Sequence, residues 1–211
     1  MNHSDNLISI QKYRKAAAHY DASATFTMPL RQRTIALLQL QPGQSVLDVG
    51  AGTGLSYELL IRAIGEQGRL MAFEQSPEMF AQAQARVQSR AHEVGWKQVW
   101  HTCAAAETVA LPQLADAVLF NYVHDVSRTP EAVANIMRQV RPGARVAMAG
   151  MKFFPWWTGP LNILAWLKNR PYNAKASDLW APWDIVQTYC HSFSIEPTQM
   201  GMGYLASGIR K

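Results

Sequence analysis

Apolar positions along the chain change period several times, and each change marks an element. Tyr13, Ala16, Ala17 and Tyr20 fall at i, i+3, i+4 and i+7, so the spacing predicts a helix over Ser9–Tyr20 with these residues on one face. A second helical stretch covers Leu30–Leu40, with Ile35 and Leu38 on one side, and Gln41-Pro42-Gly43 ends it. Short β-branched and apolar runs then alternate with helical ones. Strands are expected at Ser45–Val49, Arg69–Glu74, Val99–Cys103, Ala115–Asn121 and Arg145–Gly150. Helices are expected at Leu55–Ile64, closed near Gly65; from Ser76-Pro77-Glu78 to about Arg90; and at Pro130–Val140. Ser76 reads as an N-cap with Pro77 at N1, and Thr129 as the cap before Pro130. Ala115–Asn121 is apolar on both faces, as in a parallel sheet covered by helices. Strands and helices alternating at this spacing predict an open parallel α/β sheet whose ligand lies outside the carboxyl ends of the strands.

Beyond Gly150 the pattern breaks. Trp156, Trp157, Trp166, Trp180 and Trp183 are five of the seven tryptophans, and prolines 155, 160, 171 and 182 interrupt the stretch. Leu161–Leu167, followed by Lys168, Asn169 and Arg170, reads as an amphipathic, partly basic helix. Ser192–Thr198 and Tyr204–Ile209 read as a final hairpin around Met200–Gly203. The organisation expected is a single domain over 1–211: an N-terminal helical lid (1–40), a ligand-binding core (41–150), a Trp-rich substrate or lid segment (151–190) and a C-terminal hairpin (191–211).

Composition narrows the class. The chain has 211 residues, 48% hydrophobic and 17% charged, enough for one sizeable core and inconsistent with disorder. The net charge is +5, but Lys and Arg are scattered and form no nucleic-acid tail, so a nucleic-acid partner is not expected. Two cysteines, Cys103 and Cys190, give no disulfide framework and no metal spacing. Cys103 is expected to be buried as a small hydrophobe. A reducing, cytoplasmic compartment fits this usage, no metal site is expected, and no run of 18 apolar residues is present.

The chemistry concentrates in Val46-Leu47-Asp48-Val49-Gly50-Ala51-Gly52-Thr53-Gly54. A buried strand breaks into a glycine turn and re-enters helical sequence, so backbone N–H groups can face a ligand at a helix N-terminus. The spacing Gly-x-Gly-x-Gly, with Asp48 two places before the first glycine, differs from the dinucleotide pattern Gly-x-Gly-x-x-Gly. With Phe73-Glu74-Gln75-Ser76-Pro77-Glu78-Met79, Ala115–Asp125 and Val140-Arg141-Pro142-Gly143, this order resembles the class I S-adenosylmethionine-dependent methyltransferases. More narrowly it resembles the subgroup that includes the ubiquinone/menaquinone-biosynthesis methyltransferases and related small-molecule enzymes. The resemblance spans roughly residues 10–150 and is most specific in its first block.

The resemblance implies a Rossmann-like seven-stranded sheet, mostly parallel with a C-terminal antiparallel hairpin and helices on both faces. It implies S-adenosylmethionine as cofactor and S-adenosylhomocysteine as product. Gly50, Ala51, Gly52, Thr53 and Gly54 would admit the methionyl part of the cofactor close to the backbone. Asp48 would attract its ammonium, Glu74 accept from both ribose hydroxyls, and Gln75 and Met79 lie at the adenine edge. The family's usual aspartate at the end of the third strand falls here on Ala104, so only backbone groups near Ala104 and Ala105 could reach the adenine. Asn121 and Tyr122 would face the sulfonium. Tyr20 matches a Tyr-Asp pair that folds over the cofactor in related enzymes.

For the acceptor end, His124 is a candidate general base with Asp125 orienting it, although a sulfonium is so good a leaving group that alignment and desolvation can suffice. The Asn/Asp-Pro-Pro-Tyr/Phe signature of exocyclic-amine and glutamine methyltransferases is absent. Tyr13, Trp156 and Trp157 are candidate substrate contacts. Three readings of the Trp-rich segment stay open: a lid over the sheet, an aromatic pocket for a small molecule, and a membrane-surface contact serving a lipid-headgroup amine. A non-catalytic cofactor-binding protein is the alternative from outside the enzymes. The acceptor and the oligomeric state are not legible.

Overall fold

The computed structural model describes residues 27–154, 158–159, 162–163 and 179–211. The expected Ser9–Tyr20 helix with Tyr13 and Tyr20, and the candidate contacts Trp156 and Trp157, lie outside the described residues.

In chain order the described elements are α1 (Met28–Leu37), β1 (Ser45–Val49), α2 (Tyr57–Ile64), β2 (Arg69–Glu74), α3 (Pro77–Ser89), β3 (Val99–Cys103), β4 (Ala115–Asn121), α4 (His124–Ser127), α5 (Pro130–Arg138), β5 (Val140–Met151), α6 (Asp184–Thr188), β6 (Cys190–Thr198) and β7 (Gly203–Arg210). The seven strands form one sheet in the order β3-β2-β1-β4-β5-β7-β6. Strands β1 to β5 run parallel, and β7 joins β5, and β6 joins β7, antiparallel. The expected architecture is therefore present, terminal hairpin included. Chain direction across the sheet reverses between β1 and β4, so the carboxyl ends of these two strands open a crevice.

Alternation along the central strands feeds two cores. Leu47, Val49, Met71, Phe73, Val118 and Phe120 share one with Val133, Ile136 and Met137 of α5. Val46, Leu70, Ala72, Ala117 and Leu119 share the other with Ile35 and Leu38 and with Leu60, Ile61 and Ile64 of α2. Burial on both faces is why these strands read as near-continuous apolar runs.

Four expectations need correction. Cys103 is exposed, because β3 is an edge strand and its last residue lies beyond the helices' cover. Thr129 occupies the N-cap of α5 without a side-chain capping bond, since its Oγ1 donates to the Asp125 carbonyl at 2.7 Å. The α2 helix begins at Tyr57 rather than Leu55, and the hydroxyl of Ser56 at its N-cap accepts from Arg31 instead of capping. The Arg141-Pro142-Gly143 turn is absorbed into β5, which starts at Val140 with a register shift against β4 between Ala115 and Ala117. Ser76 does cap α3, its Oγ accepting from Met79 N–H at 3.4 Å. Among the described residues no helix is long and apolar enough to cross a membrane.

Candidate active site

A cavity sits at the crevice. It is lined by Asp48, Gly50, Ala51 and Gly52 from the β1 turn; Phe73, Glu74, Gln75 and Met79 from β2 and α3; Ala106; Asn121 to Val123, Asp125 and Val126 from the end of β4; and Arg31 from α1. Nine of the expected cofactor residues are thus brought together: Asp48, Gly50, Ala51, Gly52, Glu74, Gln75, Met79, Asn121 and Tyr122.

The turn that carries the glycines needs them. Gly50 and Gly52 hold φ of 56° and 59°, and a Cβ on Gly50 would sit 2.7 Å from Val123 Cγ1. Glu74 locks this turn from the neighbouring strand. Its Oε2 accepts the Gly52 N–H at 2.9 Å and its Oε1 the Ser76 N–H at 2.8 Å. Each ionised oxygen retains acceptor capacity beyond these bonds. Burial pushes the Glu74 carboxyl up, opposed by the amides of Ser76 and Gly52.

Asp48 is 2% exposed, and its Oδ2 has no hydrogen-bond partner among the described residues. Burial raises its pKa to about 7, with Arg31 pulling it down and Glu74 pushing it further up. Asn121 is 5% exposed, and neither end of its amide has a hydrogen-bond partner among the described residues. Buried polar atoms of this kind, aimed into a cavity, mark a ligand site. Tyr122 follows in the left-handed region, at φ 58°, where a bulky residue is strained.

Some expected residues stand elsewhere. Thr53 is buried behind the turn, its carbonyl accepting from Arg86 Nε at 3.0 Å, and neither it nor Gly54 lines the cavity. Ala104 and Ala105 are also off the wall. Ala104 N–H is spent on the Glu74 carbonyl, and the turn that follows presents Ala106 instead. His124 is buried but does not line the cavity. Its Nε2 lies 2.8 Å from Met151 O and 3.1 Å from Met151 N, and burial holds its pKa below the usual histidine value. Asp125 does line the cavity. Arg31, Phe73, Val123 and Val126 were not singled out from the sequence. Only the apolar ones carried a signal, as flanks of the motifs; an arginine in a helix N-terminal to the motif carries none.

The strand order, the glycine turn under Glu74 and the unsatisfied Asp48 oxygen at the end of β1 define a class I S-adenosylmethionine-dependent methyltransferase, and S-adenosylmethionine is the cofactor of that class. The sequence profile of the protein-L-isoaspartate(D-aspartate) O-methyltransferase family matches residues 3–149, and the chain belongs to this family. Among curated proteins, it is 29% identical over 139 residues to a protein-L-isoaspartate O-methyltransferase of Aeropyrum pernix, covering 66% of this chain and 48% of that one. It is 45% identical over 74 residues to a malonyl-[acyl-carrier protein] O-methyltransferase of Herminiimonas arsenicoxydans, covering 35% of this chain and 28% of that one. The chain thus spans about half the length, or less, of these curated relatives. Among solved structures, a SAM-dependent methyltransferase from Aquifex aeolicus superposes with a TM-score of 0.63 at 18% identity, over 86% of this chain and 89% of that one. The N-methyltransferase NodS from Bradyrhizobium japonicum, in complex with S-adenosylhomocysteine, superposes at 0.61 with 14% identity over 86% of each chain.

Proposed function

We propose that this chain methylates a small-molecule nucleophile in the cytoplasm with S-adenosylmethionine as donor, acting as a single domain. The observation that carries the reading is the continuity of one cavity from the Asp48–Glu74 acids, past the bare backbone of Gly50 and Gly52, to the uncommitted amide of Asn121. Bound there, the donor supplies a methyl carbon that an acceptor lone pair attacks, the C–S bond breaking and its electron pair remaining on the sulfur of S-adenosylhomocysteine.

The residues divide the work of binding. Asp48 offers its free oxygen to the donor's ammonium, and Glu74 offers its remaining acceptor sites to the ribose hydroxyls while it fixes the turn. Gln75 and Met79 border the adenine. Asn121 and Tyr122 face the sulfonium and the incoming acceptor. Alignment and exclusion of water do the rest, because the leaving group needs no proton. His124 is assigned a positioning role through Met151, and Asp125 borders the acceptor end.

A second reading, methylation of an isoaspartyl carboxyl in a peptide, is favoured by the family match. That match ends at residue 149, however, before the Trp-rich segment expected to meet the acceptor. Proteins similar to parts of this chain are named for protein isoaspartate, malonyl-[acyl-carrier protein], arsenite and tRNA adenine, so the likeness alone does not single out one acceptor.

Calorimetry with S-adenosylhomocysteine, followed by mass detection of methylated product from labelled donor, tests the proposal. The acceptor panel contains small amines, phenols and carboxylates, an isoaspartyl peptide, and vesicles bearing amine headgroups. Turnover on a soluble small molecule is expected. Turnover confined to the peptide or to vesicles moves the assignment there, and binding without turnover on any acceptor refutes catalysis.

A further inference from the structure

Among the described residues six large apolar side chains are exposed, and three of them gather in one place. Val94 and Leu114 precede β3 and β4 at the amino end of the sheet, and Ile195 lies within the edge strand β6. Trp180, Ile163 and Met200 instead surround the carboxyl end of β5. Hydrogen bonds bring their segments together there. Phe153 N–H donates to Leu179 O at 2.8 Å, Lys152 N–H to Met202 O at 2.8 Å, and Phe154 N–H to Asn162 Oδ1 at 2.8 Å. Buried Phe153 meets the Trp180 ring edge to face at 5.1 Å. Met151, Phe153 and Leu179 form a small apolar core, on which Tyr122, Phe154 and Met202 pack. Tyr122 also lines the candidate site, so the patch adjoins it.

The side chains of this patch stand well out of the fold. Met200 is 97% exposed, Ile163 61% and Trp180 49%. Gln199 and Met200 both adopt positive φ, 49° and 57°, a strained state for residues with a Cβ, in the turn that carries Met200. Charge around the patch has one sign. In the described stretches 152–154, 158–159, 162–163, 179–183 and 199–203, Lys152 is the one charged side chain. The acids flanking them, Asp184 and Glu196, are each paired with an arginine, Arg128 and Arg33. Across 152–183 the sequence carries Lys152, Lys168, Arg170 and Lys175 against Asp178 alone.

We propose that the carboxyl end of β5, through Met200, Ile163 and Trp180, docks on the surface of an anionic lipid bilayer. Separate apolar tips set among cations suit that partner. A bilayer takes each tip without matching its shape, tryptophan favours the headgroup boundary, and lysines and arginines are drawn to anionic headgroups. A second copy of the chain fits less well, because it would bring the same excess of cations to the same face. The docked face adjoins the candidate site, so an acceptor dissolved in the bilayer would meet the site without crossing open water. The docking goes beyond the proposed methyl transfer and does not depend on it.

Vesicle flotation of the full chain tests this, with no donor or acceptor present. One set of vesicles is phosphatidylcholine, and in the other part of it is replaced by phosphatidylglycerol. Wild type is expected to float with the anionic set, more weakly as salt is added. M200E and I163E are each expected to weaken that binding about tenfold or more, the scale of losing one inserted apolar side chain. V94E and L114E, at the amino end of the sheet, are expected to bind as wild type does. Thermal melts matching wild type show that the variants are folded, and the high exposure of Met200 makes M200E the safest of them. Absence of wild-type binding to either set overturns the proposal. So does an equal loss in V94E, or binding that salt abolishes and M200E leaves unchanged. A dimer in sedimentation that M200E dissolves, without vesicle binding, would give the face to a second copy and overturn it as well. Failure of every acceptor to be methylated would overturn the proposed function and leave the flotation result standing.

Discussion

Glu74 Oε2 accepts the Gly52 amide hydrogen at 2.9 Å, so the acid at the end of β2 holds the glycine turn after β1. The same carboxylate takes the Ser76 amide through its other oxygen. Glu74→Gln keeps the size but turns one acceptor into a donor facing a backbone donor. Cofactor affinity is expected to fall about tenfold or more, the cost of one lost charged hydrogen bond and one unsatisfied amide. Amide exchange at Gly52 or Ser76 is expected to accelerate with the rest of the sheet unaffected. Calorimetry and hydrogen exchange by NMR check both, and a Gln variant with wild-type affinity contradicts the role.

Asp48 links the site to pH. Its carboxyl titrates at about 7 in the folded chain against 3.8 when unfolded. The folded state keeps the proton that the unfolded state releases, so this group's contribution to stability is complete below about pH 4 and is lost as pH rises toward 7. Asp48→Asn removes the slope. It is expected to raise stability at pH 8 by a few kcal/mol, about 4 at the upper end, and to change little below pH 4. Donor affinity is expected to move the other way, falling in the variant at pH 8 and falling in wild type as Asp48 gains its proton. Thermal melts across pH without ligand, paired with calorimetry, separate the two. A variant less stable than wild type at pH 8 would contradict the assignment.

What the sequence discloses tracks what is local. Strands β1, β2 and β4 begin and end where the apolar runs do, because each is buried on both faces and its pattern needs no partner to be read, and the half-buried edge strand β3 keeps its expected bounds as well. Ser76 is legible as a cap because its partner is local, the Met79 N–H that donates to it lying three residues away. Ser56 and Thr129 look alike in sequence, but their hydroxyls are drawn to Arg31 and to the Asp125 carbonyl, which no local pattern discloses. Cys103 is exposed because β3 lies at the sheet edge, a property of strand order rather than of the strand. Asp48 and Glu74 announce themselves by spacing around the glycines. Arg31 reaches the same cavity from a separate helix, and Ala106 replaces Ala104 on the wall through a turn whose shape the sequence does not spell out.

Gly50 and Gly43 form a matched pair for the role of the turn. Both have positive φ, 56° and 87°, but a Cβ on Gly43 meets nothing within 4 Å, whereas on Gly50 it meets Val123 Cγ1 at 2.7 Å. Gly43→Ala is expected to cost only backbone strain, about 1–2 kcal/mol. Gly50→Ala adds overpacking of about 1–3 kcal/mol and pushes Val123, a cavity residue, out of position. Denaturant melts should rank Gly50→Ala as the less stable, and S-adenosylhomocysteine affinity should fall in that variant alone. Equal affinities would show that the turn tolerates displacement.

His124 provides the sharpest division between chemistry and scaffold. Its ring nitrogen faces the backbone of Met151 at the end of β5, and a Cβ on Gly150 would come within 2.7 Å of that nitrogen, so the ring fills the space between the ends of two strands. Burial lowers its pKa, so the unfolded chain takes up a proton first as pH falls through the ordinary histidine range. Stability from His124 is therefore complete above about pH 6.5 and is lost on acidification, opposite in sign to the slope from Asp48. His124→Gln is expected to lower stability near pH 7.5 by about 1–3 kcal/mol through lost packing and hydrogen bonding, and to remove the acid-side loss. Subtracting the melts of this variant from those of wild type should then isolate a His124 contribution of opposite sign to that of Asp48. If His124 acted instead as the general base, turnover at saturating ligand would fall by about 100-fold or more with the acid limb of the rate profile abolished. The expected result is a loss under about tenfold with that limb unchanged, measured where the variant is fully folded.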